Sequence, residues 1–274
     1  VIIIAIFILI TGGCSVKQES SNVQVPAAVP PPTAKGADVN QYIIDAVLDT
    51  ADKVLTAEQQ VIYVNNDDVE LSELYFHIYT NAFRKQETAP FLFDDFSRAY
   101  SRGFKPGYTE IEAIELSKGQ SRKALEYSLQ GVGETILKIK LPEPLKPEDS
   151  INLRFKYKVI IPPAGERFGY GDSNINMGNW YPVAAVYDDE GWNLDKYYSI
   201  GDPFYSDVSD YTVNIKAPEE YIIAVSGSLA EERIEGGYKN WKFQGSKMRD
   251  FAFVASNSFR VAEDKVGNTV VKSY

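Results

Sequence analysis

The segment from Glu166 to Tyr181, ERFGYGDSNINMGNWY, concentrates the groups best suited to recognise a ligand. Gly169, Gly171 and Gly178, together with Asn174, Asn176 and Asn179, are expected to prevent a regular strand there. Phe168, Tyr170, Trp180 and Tyr181 crowd the same stretch. Such a loop sets amide and carboxylate acceptors beside flat aromatic surface. The same composition also fits a solvated turn cluster whose Asp and Asn simply satisfy the backbone.

Hydrolytic chemistry has fewer places to sit. His77 is the one histidine, and neither HExxH nor HxxE surrounds it, which excludes a zinc site built on two His one helical turn apart. No Gly-x-Ser-x-Gly elbow accompanies it for nucleophilic catalysis. Lying beside Phe76 and Tyr79 in an alternating run, His77 reads as structural. Cys14 is the one cysteine, which removes disulfides and Cys-based zinc clusters. The acids Asp188, Asp189, Glu190, Asp202, Asp207 and Asp210 supply oxygens of the kind calcium needs, without the spacing of an EF-hand loop. Solvated surface acids are the simpler expectation. Trp192, Tyr197, Tyr198, Phe204 and Tyr205 read as packing rather than as a sugar ledge.

The elements that must position these groups are short and β-rich. Candidate strands are Tyr42–Leu48, Gln60–Val64, Glu73–Ile78, Thr109–Leu116, Ala124–Leu129, Thr135–Leu141 and Ser150–Ile161. Tyr181–Tyr187, Tyr211–Lys216, Tyr221–Val225, Lys239–Phe243, Asp250–Ala255 and Thr269–Ser273 continue the series. Many short strands between turn residues predict an all-β fold of stacked, mostly antiparallel sheets. Ala89–Ser101 has room for a helical turn, closed by Gly103 and Pro106. A body of this length buries about 70% of its unfolded surface, enough to stand without disulfides. The net charge of -10, from 28 basic and 38 acidic side chains, argues against nucleic acid, whose binders need a basic face.

The ends carry address information. The chain starts at Val1 rather than Met, so residues upstream are expected. Val1 to Ile10 is an unbroken apolar run followed by Thr11-Gly12-Gly13-Cys14. Ten helical residues rise about 15 Å, half of a hydrocarbon core of about 30 Å. Small residues before a lone Cys resemble a bacterial lipoprotein signal, which implies lipidation of Cys14, attachment to the cell membrane and an extracytoplasmic location. A truncated transmembrane anchor is the other reading. On the lipoprotein reading, residues 1–14 are the signal segment, 15–38 a Pro-rich tether around Pro30-Pro31-Pro32, and 39–274 the folded domain.

One further pattern spans the body. Trp180-Tyr181-Pro182, the acidic Asp188-Asp189-Glu190, Asp202-Pro203-Phe204, and two strands split by Ala217-Pro218 follow in that order. Upstream, Tyr42–Asp49, Val54-Leu55-Thr56, Val61–Asn65 and Leu71–Phe83 precede them. This collinear order resembles the N-terminal domain of the aminopeptidase N-like zinc metallopeptidases. The resemblance implies a saddle-shaped, sheet-only domain that packs against its own C-terminal catalytic domain, expected beyond Tyr274 and carrying the zinc. By itself this chain would be inactive. The resemblance further implies a non-catalytic role, shaping the cleft for peptide substrates with free amino ends. It places Ser173 where the family sets an acceptor for the α-amino group, flanked by Asp172 and Asn174, with Tyr181 beside them as substrate-binding candidates. Two other readings stay open: a peptide- or glycan-binding β-sandwich lipoprotein with no enzyme attached, and a docking subunit of a membrane complex.

Overall fold

A computed structural model describes residues 38–91, 95–201 and 204–274. Cys14, the apolar run and the Pro-rich stretch lie outside the described residues, as do Asp202 and Pro203. In chain order the strands begin with β1 (Asn40–Asp49), β2 (Val54–Val64), β3 (Leu71–His77), β4 (Tyr108–Lys118), β5 (Ser121–Ala124) and β6 (Tyr127–Gln130). β7 (Ile136–Leu145) and β8 (Ser150–Ile160) precede the short β9 (Phe168–Tyr170), β10 (Asn174–Met177), β11 (Val183–Ala184), β12 (Tyr187–Asp188) and β13 (Gly191–Trp192). The chain continues through β14 (Ser209–Pro218), β15 (Ile222–Val225), β16 (Ser228–Glu235) and β17 (Tyr238–Met248). It closes with β18 (Phe253–Ser256), β19 (Ala262–Val266) and β20 (Thr269–Ser273). A single turn of helix, α1 (Phe96–Ala99), falls within the expected Ala89–Ser101 window.

The domain is all-β. Eight strands form the largest sheet, in the order β16-β17-β14-β1-β2-β8-β4-β5, and two four-stranded sheets, β15-β18-β10-β9 and β11-β3-β7-β6, accompany it. Every pairing in the large sheet is antiparallel except β1 with β14, which run parallel. Parallel neighbours need a crossover. Here the crossover is the whole stretch from β2 to β13, which contributes strands to all three sheets.

Period-2 patterning explains the layers. Tyr42, Ile44, Ala46 and Leu48 of β1 are buried while Asp45, Val47 and Asp49 are exposed. β8 alternates in the same way, with Leu153, Phe155, Tyr157 and Val159 inside. Tyr211, Val213, Ile215 and Ala217 of β14 complete the apolar face. That face is covered by the smaller sheets, and each fully buried large apolar side chain contributes about 1.5–3 kcal/mol. The opposite face of the sheet is polar and open. Asp49 closes the β1–β2 hairpin by accepting from the amides of Ala51 and Asp52, both at 2.9 Å.

Three expectations need correction. Ala124–Leu129 is not one strand: β5 pairs with β4 in the large sheet, whereas β6 pairs with β7 in another. Leu125, whose amide bonds to the Ile114 carbonyl at 2.9 Å, marks where the chain changes sheets. Tyr181–Tyr187 is not one strand: it holds the two-residue β11 and the first residue of β12, which lie in different sheets, and Tyr181 plugs the core instead of pairing. The Gly- and Asn-rich segment does form strands, β9 and β10, paired Ile175↔Tyr170 through Met177↔Phe168.

His77 is buried, as its alternating context suggests. Its ring stacks on Tyr79 at 4.7 Å, and Nε2 lies 3.1 Å from the Asn193 carbonyl, so Nε2 donates and Nδ1 is the bare nitrogen. Burial lowers its pKa from 6.5 to about 4, against weaker opposing pulls from the Asn193 carbonyl and Asp195. A lowered folded-state pKa means that, between those two values, the unfolded chain binds a proton that the folded chain refuses. Stability is therefore present above pH 6.5 and is lost as pH falls towards 4, by roughly 3 kcal/mol in full. The melting temperature of the wild type should drop across this window more steeply than that of His77→Gln, which removes the titration but retains a donor. Parallel curves would assign the acid sensitivity to other groups.

Candidate functional site

The β9–β10 hairpin holds its turn tightly. The Gly171 amide donates to the Asn174 carbonyl at 2.8 Å. Asn174 Nδ2 donates to Asn176 Oδ1 at 2.7 Å, and Asn176 Nδ2 donates to the Glu166 carbonyl at 2.9 Å. These amides brace a strand pair that the glycines make sterically feasible. Gly169 has φ +151, and a Cβ there would stand 2.4 Å from the Ala164 carbonyl oxygen. Only glycine accepts both that conformation and that approach.

Two of the three expected site residues come together on this hairpin. Asp172 lies at the tip with its side chain 97% exposed and ion-paired with Arg102. Asn174 is half-buried at the start of β10. A carboxylate and a carboxamide thus stand within one turn, fixed by strand pairing on either side. Tyr181 is placed elsewhere, inside the core at 1% exposure. Its hydroxyl is 3.0 Å from Asp250 Oδ1 and 3.0 Å from the Tyr211 hydroxyl. With one proton to give, it donates to the carboxylate, the stronger acceptor, and Tyr211 donates to it in turn.

Asp250, which its surroundings in sequence do not single out, is the centre of that arrangement. It accepts from Tyr181, from the Phe251 amide at 2.8 Å and from Asn179 Nδ2 at 3.2 Å. Burial raises its pKa, and these donors oppose the rise. Burial likewise holds the Tyr181 phenol well above its ordinary range, reinforced by the neighbouring Asp250. Asn179 reaches the carboxylate from a left-handed conformation, φ 50, that asparagine tolerates. Trp180 Nε1 donates to the Phe251 carbonyl at 3.0 Å beside it.

The other candidate groups are dispersed. Asp188 accepts from the Glu190 amide at 3.0 Å, and Asp210 accepts from the Ser246 hydroxyl and the Lys247 amide at 2.7 and 2.9 Å. Among the described residues no three His, Cys, Asp or Glu side chains converge in a way that could hold a metal. What the hairpin tip can do chemically is accept hydrogen bonds and offer one negative charge.

No family model matches the chain, and no curated protein matches it. Among solved structures it is similar to an M1 zinc metallopeptidase from Deinococcus radiodurans, at 12% identity and TM-score 0.46 over 87% of this chain and 47% of that one. A mutant two-domain M1 zinc metallopeptidase bound to L-tryptophan gives 14% identity, TM-score 0.46, 87% and 48%. A mutant of the Deinococcus radiodurans enzyme bound to a Tyr-Ser-Ala substrate gives 15%, 0.46, 86% and 46%. The chain thus spans less than half the length of each of these structures.

If Gly169 fixes the hairpin, Gly169→Ala should cost roughly 2–4 kcal/mol in urea denaturation, from overpacking against Ala164 together with backbone strain. Gly236→Ala is the control, because φ there is +62 but no atom lies within 4 Å of the added methyl. It should cost only about 1 kcal/mol. Equal losses would show that the close approach of β9 to Ala164 is not what fixes the turn.

Proposed function

We propose that this domain is the non-catalytic N-terminal part of a surface-anchored zinc aminopeptidase, and that its β9–β10 tip lines the substrate cleft and receives the free amino end of a peptide. The observation that carries the reading is the exposed Asp172 carboxylate beside the Asn174 carboxamide on a strand pair too tightly braced to collapse around them. The collinear order of motifs between residues 39 and 274 supports it, as does an architecture built of sheets alone.

The chemistry is that of an ammonium leaving water. A desolvated α-amino group needs acceptors for its three protons, and a charged acceptor roughly doubles the strength of each bond. Asp172 supplies the charge and Asn174 a neutral oxygen. Arg102 competes for Asp172, but an exposed ion pair is worth only about 0–1 kcal/mol, so exchange for a substrate ammonium costs little. Tyr181 acts from within the core, holding the segment through Asp250 rather than touching the peptide.

This chain's residues do not fit the zinc that the family resemblance implies. His77 is buried with Nε2 committed to the Asn193 carbonyl, and no second ligand set converges among the described residues. The metal belongs to the catalytic domain expected downstream, which is also the domain's principal partner. Attachment to the membrane through a lipidated Cys14 would keep the pair outside the cytoplasm.

The test uses the full-length protein and compares cleavage of a peptide with its N-acetylated form. The double variant Asp172→Ala, Asn174→Ala should lose about ten- to a hundredfold of the preference for the free terminus, the worth of a hydrogen bond to a charged group made in the transition state. A preference left unchanged would place recognition of the amino end wholly in the catalytic domain. Absence of peptidase activity in the wild type would overturn the enzyme reading itself.

A further inference from the structure

The open face of the eight-stranded sheet, on the side away from the layer that carries Asp172, holds a groove of about 900 Å³. Its walls come from seven consecutive strands, β16, β17, β14, β1, β2, β8 and β4. Six inter-strand spacings at about 4.8 Å make it about 29 Å long. An extended chain of about nine residues has that length.

The charges in the groove are unevenly satisfied. On one half, Glu58 pairs with Arg154, and Glu112 pairs with Lys158 at 2.8 Å and Lys156 at 3.6 Å. Asp45 accepts from Asn214 Nδ2 at 2.7 Å. On the other half, Lys216, Arg233 and Lys242 have no carboxylate within 4 Å among the described residues. The strand register gathers these three about Asn240, which stands opposite Lys216 on one side and Arg233 on the other. Lys242 lies two residues along the same face. Glu231 stands opposite Lys242 but forms no ion pair with it within 4 Å. Like charges on adjacent strands repel, so this half of the groove is complementary to an anion. It is so in a chain whose net charge is -10.

A second hollow of about 860 Å³ adjoins the first through Asn214 and Lys242. Gln41 lines it, 8% exposed, with its Oε1 buried and unpartnered. A buried carboxamide oxygen lacks a donor there, and a peptide N–H supplies one. Sugars fit less well, because the half-exposed ring on this face, Tyr238, already carries the Lys216 ammonium 4.8 Å from its centroid. Nucleic acid is opposed by the overall charge.

We infer that the open sheet face docks an extended acidic peptide of about nine residues, its carboxylates lying over Lys216, Arg233 and Lys242. This is independent of the amino-end reading, since it concerns the opposite side of the domain and involves no cleavage.

The probe is a fluorescein-labelled nonapeptide with three Glu at one end, titrated by anisotropy into the intact chain, against the same peptide with Gln in place of Glu. The Glu form should bind at least tenfold more tightly and weaken as salt is raised. Lys216→Gln with Lys242→Gln should cut its affinity at least tenfold with an unchanged melting temperature. Glu112→Gln, on the self-paired half, should leave it within twofold. Equal binding of the two peptides, no saturable binding, or full affinity in the double variant would overturn the inference. So would displacement of the Glu peptide by a sulfated tetrasaccharide at a lower concentration than by unlabelled peptide, which would identify the groove as a glycan site.

Discussion

Drawing the Asp250 carboxylate partly out of water is the constraint around which the rest of the domain is arranged. An ion taken out of water costs several kcal/mol unless donors replace its hydration. Here the replacements are Tyr181, Asn179 and the Phe251 amide, three groups from two separate stretches of chain. Satisfying them sets the position of 179–181 against 250–251, and hence of β10 against β18, which pair from Asn174↔Ser256 to Met177↔Phe253. Tyr211 joins the arrangement from β14, and its ring stacks on Tyr42 of β1 at 5.1 Å. The carboxylate thus ties the small sheet to the middle of the large one.

The segment after it is fastened at further points. Gln59 Nε2 donates to the Pro182 carbonyl at 2.8 Å, and the Ala184 amide donates to the Tyr42 hydroxyl at 3.0 Å. Gln59 is itself held by the Tyr157 hydroxyl at 3.1 Å. A chain so tethered cannot drift, and the hairpin tip that precedes it inherits the rigidity. The exposed, polar tip is thus held in place by the packing on either side of it. The open face of the large sheet is unaffected by these contacts, which leaves it free for a separate use.

Much of this was legible in the sequence where one physical rule dominated. Strands such as β1, β8 and β14 alternate cleanly because one face is core and the other solvent, so period 2 reveals them. β9 and β10 were hidden because local composition argues against strands. The pairing is imposed by tertiary contact, Gly169 against Ala164 and Gly178 against the Arg167 carbonyl. Asp172 and Asn174 were readable from residue type as belonging to a turn, which is where the β9–β10 hairpin places them. Tyr181 was not separable from them, because an aromatic beside a polar loop suits a site and a core equally. Asp250 gave no signal, since a lone acid after Arg249 looks like surface and its partners lie some seventy residues away.

The most direct test of this account is a double-mutant cycle in urea with Tyr181→Phe and Asp250→Ala. If the half-buried hydrogen bond between them organises the junction, the two losses should be coupled by about 1.5–3 kcal/mol, as expected of a bond to a charged group. Losses that add to within about 0.5 kcal/mol would contradict it, and would mean that the layers are held by apolar packing alone.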